Sequence, residues 1–394
     1  MKHLILLLLC AVCINTITAQ DSIVIGARHK IYSSVLKEER NYWVYLPVSY
    51  SSALFQPAKY PVVYLLDAES NFHSFTGIVQ SLSKGPYAMI PEMIVVGITN
   101  TDRTRDLTPT VASNQAFFNN RKIVDKGTGR NKLFLQFLAD ELRPVIDSVY
   151  RTSGYNILNG HSFGGLTAVN ALLNNTSMFN AYNIIDPSLW WDDMVMLKQA
   201  DSILSNKNFS HTNIFVAHAN KENIPQDTTT NMQRGINGFH KQLQTKAALN
   251  LHWQYKFYKE EDHGTVPIPA AYDGLRYIFL NHLVQVKQAV DDTLLVERQY
   301  KLLSEKTDFA FHPSEAYFDW MGNYCLSLKK YASALYFYKQ ACLYYSQSGH
   351  AYLAAGRAFL KSADKQLAEA YLIKARQFSI SKKEAETLLQ DLNK

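Results

Sequence analysis

Short apolar runs, each the length of a strand and bounded by polar turns, recur along this chain and then stop near residue 313. Residues 22–35 and 41–47 read as an opening antiparallel pair, and 62–66 and 93–98 as inner strands. Further strands are expected at 155–159, 182–185, 213–218 and 251–258. Helical stretches lie between them: an amphipathic one at 132–149, a small and apolar one at 166–173, and another at 272–284. The strands at the centre are rich in Val, Ile and Leu, as strands covered on both faces must be. Strands interleaved with helices in this way predict an α/β fold with a mostly parallel sheet flanked by helices.

The composition changes after a charged stretch at 287–293, a connector helix, and a break at Phe311-His312-Pro313. Ala, Tyr, Lys and Leu then dominate. Gly322 and Gly356 are 34 residues apart, as are Ala334 and Ala368, and Ala341 and Ala375. Phe318 and Tyr352 each stand four residues before a glycine. Small residues at these positions let paired helices approach closely, and the spacing resembles tetratricopeptide repeats, here at roughly 315–348 and 349–382. Two such units are marginal alone, so they should lean on the α/β unit or on the connector helix.

The candidate chemistry centres on Gly160-His161-Ser162-Phe163-Gly164-Gly165, between the expected strand 155–159 and the expected helix 166–173. Strand, Gly-x-Ser-x-Gly, helix is the context of a nucleophile elbow, in which a sharp turn lifts the serine above the sheet end. The glycines permit the turn. The amide of Phe163 and the helix N-terminus then face any developing negative charge. A serine hydroxyl needs a base, and His263 lies in a turn just beyond the expected strand 251–258, with Gly264 after it. His161 is the variable position of the elbow, His252 and His218 belong to strands, and His350 belongs to the C-terminal helices. A carboxylate should hold the imidazole in the right tautomer. Glu222, on the loop after 213–218, is the leading acid, with Asp227 in the same loop and Asp186 after 182–185 as alternatives. Glu261 and Asp262 flank the histidine too closely in sequence to meet it well.

Taken together, these motifs make the chain resemble the putative-esterase family of α/β-hydrolases, which includes esterase D, siderophore esterases and feruloyl esterases. The resemblance runs from about residue 25 to 285. Besides the elbow it includes Tyr60-Pro61-Val62-Val63-Tyr64-Leu65-Leu66-Asp67, the stretch 96–109, Pro187-Ser188-Leu189-Trp190-Trp191 and Asp262-His263-Gly264. It implies Ser162 as nucleophile, His263 as base, and the backbone amides of Phe163 and Ala68 as the oxyanion donors. One departure is Asp186, where relatives often have serine. Trp190, Trp191, His161 and Arg103 are candidate substrate-lining residues, and the tryptophans could equally be packing contacts. Arg103 and Arg105 stand beside Asp102 and Asp106, which favours a local ion-pair cluster.

Met1-Lys2-His3, the apolar stretch 4–14 and a small residue at Ala19 form a secretory leader, with cleavage expected near Ala19 or Gln20. The stretch falls short of the roughly 20 apolar residues that span a bilayer. The expected organisation is therefore a leader at 1–20, an α/β-hydrolase esterase unit at 21–286, a connector at 287–313 and helical repeats at 314–394. An exported protein, periplasmic or extracellular, without stable membrane insertion follows. Cys325 and Cys342 remain after cleavage, too few for a disulfide framework or a structural zinc site. A formal net charge of +6 without long Lys/Arg runs gives nucleic-acid binding little support.

The reading is a secreted serine esterase needing neither metal nor organic cofactor, acting on a small-molecule or polysaccharide-linked ester. Siderophore and phenolic cell-wall esters fit by analogy with the family. An acyltransferase on the same scaffold, and a non-catalytic protein that binds a partner or itself through its repeats, are the alternatives.

Overall fold

The computed structural model describes residues 22–111, 117–118, 121–122, 127–209, 212–220, 229–247 and 250–392. The expected leader lies outside these residues. Eight strands form one sheet: β1 (Ala27–Ser33), β2 (Glu38–Tyr45), β3 (Tyr60–Leu65), β4 (Ile94–Ile98), β5 (Thr152–His161), β6 (Ala181–Ile185), β7 (Asn213–Ala219) and β8 (His252–Tyr258). Their spatial order is β1-β2-β4-β3-β5-β6-β7-β8. β2 runs antiparallel to β1 and to β4, and every later neighbour is parallel. Every residue of β3, β4, β6 and β7 is buried, as their apolar runs require.

Side-chain alternation splits the core into two layers. Val62 and Tyr64 of β3 face one layer with α3 (Asn131–Phe137), α4 (Arg143–Val149), α5 (Phe163–Asn174), α6 (Trp191–Ile203) and α7 (Thr229–Lys246). Val63 and Leu65 face the other, with α1 (Ala68–Leu82) and α8 (Pro267–Ile278). A short helix, α2 (Arg103–Leu107), follows β4. The expected single helix at 132–149 is interrupted by a π-turn at Leu138–Leu142. Pro144 explains it: the ring lacks an amide hydrogen and collides with the carbonyl four residues back, so the α-ladder widens there. The expected helix at 272–284 begins and ends earlier, as α8, because Pro267 is suited to a first helical turn.

Beyond α8 every element is helical: α9 (Val286–Asp291), α10 (Leu294–Thr307), α11 (Glu315–Ser327), α12 (Tyr331–Tyr344), α13 (Gly349–Lys361), α14 (Lys365–Ala375) and α15 (Ser379–Leu392). The residues spaced by 34 mark close helix contacts. A Cβ on Gly322 would lie 2.4 Å from the Tyr338 ring, and one on Gly356 would lie 2.8 Å from Leu372. Ala334, Ala341, Ala368 and Ala375 are all buried. Ser314 and Ser348 cap α11 and α13 by accepting from the amides of Tyr317 and Ala351. Cys325 and Cys342 are buried free thiols at these contacts. No helix among the described residues is long and apolar enough to cross a membrane.

The helices dock on the sheet at the end remote from Ser162. Tyr155, early in β5, meets Phe309 at 5.3 Å, Phe311 at 5.2 Å and Phe279 at 5.8 Å between ring centroids. Asn213, the first residue of β7, donates to the Lys306 carbonyl at 3.2 Å. The Gln56 amide donates to Glu315 at 2.8 Å. The apolar layer under α1 and α8 is therefore continuous with that of the C-terminal helices. Two consequences can be measured. Urea unfolding should follow one transition, because the helices and the sheet share a core. Phe279→Ala should lower the unfolding free energy by about 3–5 kcal/mol and expose α10 and α11 to limited proteolysis.

Candidate active site

β5 ends at His161, and α5 begins at Phe163, so Ser162 alone makes the turn between them. Its backbone sits at φ 60° and ψ −114°, a region that a residue with a side chain occupies only when its surroundings enforce it. The enforcement is visible. The Ser162 amide donates to the Ile185 carbonyl at 3.0 Å, and the Ser162 carbonyl accepts from the Ser188 amide at 3.0 Å. A Cβ on Gly160 would lie 2.2 Å from the Gly164 carbonyl oxygen, and one on Gly165 would lie 3.0 Å from the Ile185 carbonyl oxygen. Glycine is thus required where the helix returns past the strand.

The Ser162 hydroxyl lies 3.1 Å from Nε2 of His263, whose Nδ1 lies 2.6 Å from Oδ2 of Asp186. Asp186 is fully buried, and its other oxygen accepts from the Ala219 amide at 3.0 Å. A carboxylate can only accept, so Nδ1 carries the proton and Nε2 is left free to accept from the serine. The expected acid Glu222, and Asp227 with it, lie outside the described residues. The carboxylate that reaches the imidazole is Asp186, the third of the three weighed. It stands one residue beyond β6 with φ 39°, and this turn aims its side chain across the sheet end toward His263.

His263 is positioned by its own loop. Asp262 accepts from the amides of Gly264 at 2.7 Å and Thr265 at 3.0 Å, and these bonds hold its carboxyl below the usual carboxylate range. Asp262 is therefore engaged in the turn, in keeping with its exclusion as the acid. The Asn220 amide donates to the Glu261 carbonyl at 2.8 Å and ties the loop to the end of β7. Ser188 is a neighbour that sequence reasoning passed over: its hydroxyl shares a 3.2 Å hydrogen bond with that of Ser162. Its place in Pro-Ser-Leu-Trp-Trp was the available signal.

The expected oxyanion donors sit at two helix starts. Ala68 is the first residue of α1 and Phe163 the first of α5, positions whose amides have no acceptor within their own helix. The two starts abut, since a Cβ on Gly164 would lie 3.4 Å from both Leu66 and Asp67. Asp67, with φ 54°, puts a carboxylate beside this corner, and Arg103 answers it through Nε at 2.7 Å and Nη2 at 2.9 Å. Asn100 adds a bond at 2.7 Å. Arg103 thus pairs with Asp67 and not with its sequence neighbours, while its guanidinium lies 5.3 Å over the Phe163 ring. Arg105 does join Asp106, at 2.7 Å, and Glu38 at 2.5 Å.

The two tryptophans part company. Trp191 is fully buried, packs edge-on to Phe163 at 5.4 Å, and donates to the Thr110 hydroxyl at 3.2 Å. It cannot touch a substrate, which corrects its assignment as a lining residue. The cause is the tight turn after Asp186, which carries Trp191 under α5 and leaves Trp190 half-buried beside Phe163 at 6.1 Å. His161 turns from the serine toward the other sheet face, where its ring lies 4.4 Å from that of His263.

Residues 33–266 match the putative-esterase family. The chain belongs to that family. Among its relatives is the ferri-bacillibactin esterase BesA of Bacillus subtilis, 32% identical over 199 residues, which are 46% of this chain and 65% of that protein. The match thus spans just under two thirds of that relative's length. Among solved structures, an IroE-like serine hydrolase from Shewanella oneidensis is 32% identical with a TM-score of 0.73, covering 81% of this chain and 99% of that one. The BES protein from Bacillus cereus is 26% identical with a TM-score of 0.56, covering 67% and 98%. The sheet with its helices and the C-terminal all-helical region accord with the fold expected from the sequence.

The elbow of this family member rests on backbone contacts that cannot relax. Gly160→Ala is therefore expected to cost about 3 kcal/mol or more, read as a fall in the urea midpoint or as loss of soluble protein. Ser162→Ala leaves the turn in place and should stay within about 1 kcal/mol of the parent.

Proposed function

We propose that this protein is a serine esterase that hydrolyses carboxylic esters through an acyl-enzyme on Ser162. One observation carries the reading: the hydrogen-bonded chain Ser162–His263–Asp186, at 3.1 and 2.6 Å, set on a strand-to-helix turn beside two helix N-termini. His263 takes the Ser162 proton as the hydroxyl attacks the ester carbonyl, and the resulting imidazolium is held by buried Asp186. The amides of Phe163 and Ala68 receive the oxyanion. Collapse of the tetrahedral intermediate expels the alcohol, which takes its proton from His263. Water, deprotonated by His263, then attacks the acyl-enzyme, and collapse of that intermediate releases the acid while His263 returns the proton to the Ser162 oxygen. The pairing of Asp67 with Arg103 supports this assignment, because an unpaired carboxylate at that corner would oppose the oxyanion.

An ester-linked siderophore is the substrate class favoured by the relatives, of which the Bacillus subtilis protein is a ferri-bacillibactin esterase. Half-buried Trp190 offers an apolar surface to such a ligand. Export is supported by the leader-like residues 1–20, and a tetratricopeptide-type pairing of α11–α14 by the 34-residue spacing of their contacts.

The test is hydrolysis of a short p-nitrophenyl ester together with fluorophosphonate labelling. Ser162→Ala should abolish labelling and lower kcat by at least about 10³-fold. Asp186→Asn should lower kcat by about 10³–10⁴-fold with little change in KM, while Glu222→Gln stays near the parent. A parent that is folded yet neither labelled nor active would rule the reading out. Loss of activity in Glu222→Gln but not in Asp186→Asn would move the acid to the loop after β7.

A further inference from the structure

The elbow carries a second imidazole that the reaction above leaves without a task. His161 precedes the nucleophile, yet its ring lies against that of His263, with centroids 4.4 Å apart and planes 42° from parallel. The same ring lines a cleft between α1 and α8, with Asn71, Ser74, Phe75, Asn159, Pro267 and Ala271 around it. Its Nε2 is buried and has no hydrogen-bond partner among the described residues. His161 thus stands as a plate between His263 and the cleft.

Resting on the esterase reading, we propose that His161 is a positioning residue for the base: its neutral ring backs His263 and keeps cleft water from the imidazole. Three properties suit it to the task. A flat ring supports another flat ring without adding a bond that would compete with Asp186 for Nδ1 or with Ser162 for Nε2. Burial pushes its pKa down to about 4, with the facing His263 charge adding to the effect, so it adds no positive charge to a forming imidazolium near neutral pH. Its backbone is fixed, because its carbonyl accepts from Arg103 at 3.4 Å and β5 pairs with β6 at Ile185. The other charged groups facing His161 are Asp186 at the end of β6, Asp67 before α1 and Arg103 of α2.

The shape of the ring, and not its nitrogens, should carry this role, which separates it from a substrate or proton contact. His161→Phe keeps a ring in the same place, whereas His161→Ala removes it and opens the cleft to the base. In p-nitrophenyl ester hydrolysis His161→Ala should lower kcat about 10- to 100-fold with KM changed less than about twofold. His161→Phe should recover kcat to within about threefold of the parent. Circular dichroism and the thermal midpoint establish that both variants are folded.

Parent-like kcat in His161→Ala would overturn the inference while leaving the esterase reading intact. So would a His161→Phe variant as slow as His161→Ala, which would assign the effect to a nitrogen. A rise in KM alone would make His161 a substrate contact and overturn it too. A parent lacking both activity and fluorophosphonate labelling would overturn the esterase reading itself, and this role with it.

Discussion

A chain that leaves a buried parallel strand and enters a helix through one residue must place that residue at positive φ, and here the residue is a serine. Everything at the site depends on this turn. It is affordable only because Gly160, Gly164 and Gly165 let the helix start lie against the strand, and because Ile185 and Ser188 clamp the Ser162 backbone from both sides. The clamp comes from the end of β6, the same segment that supplies Asp186. Fixing Ser162 and aiming the Asp186 carboxylate are therefore one structural event. A shift in the β6 end would disturb both partners of His263 together.

Two carboxylates lie near this turn, and their surroundings give them opposite uses. Asp186 is buried with a backbone amide on one oxygen and an imidazole on the other, so its charge is available to a protonated His263. Asp67 is gripped by Arg103 and Asn100 on the far side of the elbow, so its charge is already answered. The distinction cannot be read from residue type. It follows from which cation each side chain faces, and the sheet order decides that by placing β3 and β6 on either side of β5.

The sequence made the local features legible. The elbow, the histidine turn and the 34-residue spacing each lie within one continuous stretch, where glycine placement and apolar periodicity act directly on the backbone. What escaped depends on contacts between distant stretches. Asp186 lies 77 residues from His263, and only the parallel pairing of β6 and β7 brings the Ala219 amide to it. The loop after β7 that carries Glu222 lies outside the described residues. The signal for Asp186 was the acid itself at a strand end before Pro187, where relatives carry serine. Trp191 illustrates the converse: a motif residue beside the site is carried into the core by the turn after Asp186. The π-turn at 138–142 was in principle legible from Pro144.

The same long-range constraint links the C-terminal helices to the site without bringing them near it. β5 carries Tyr155 near its start and ends one residue before Ser162, so the docked aromatic cluster and the elbow occupy opposite ends of one strand. Helix pairs of this kind cannot bury both faces alone, and here the sheet serves as the missing neighbour. The connector joins the first of them to the α/β unit through Tyr300, Phe309 and Phe311, which pack in one core with Phe279, whereas α13–α15 bury Leu353, Leu372, Ala375, Ala385 and Leu389 against one another. A role in stability is therefore sufficient to account for their packing, whereas any partner would have to use the faces turned away from the sheet. Removing the helices would expose the start of the strand that leads to Ser162. Their influence on catalysis should accordingly run through the rigidity of β5 and not through contact with the substrate.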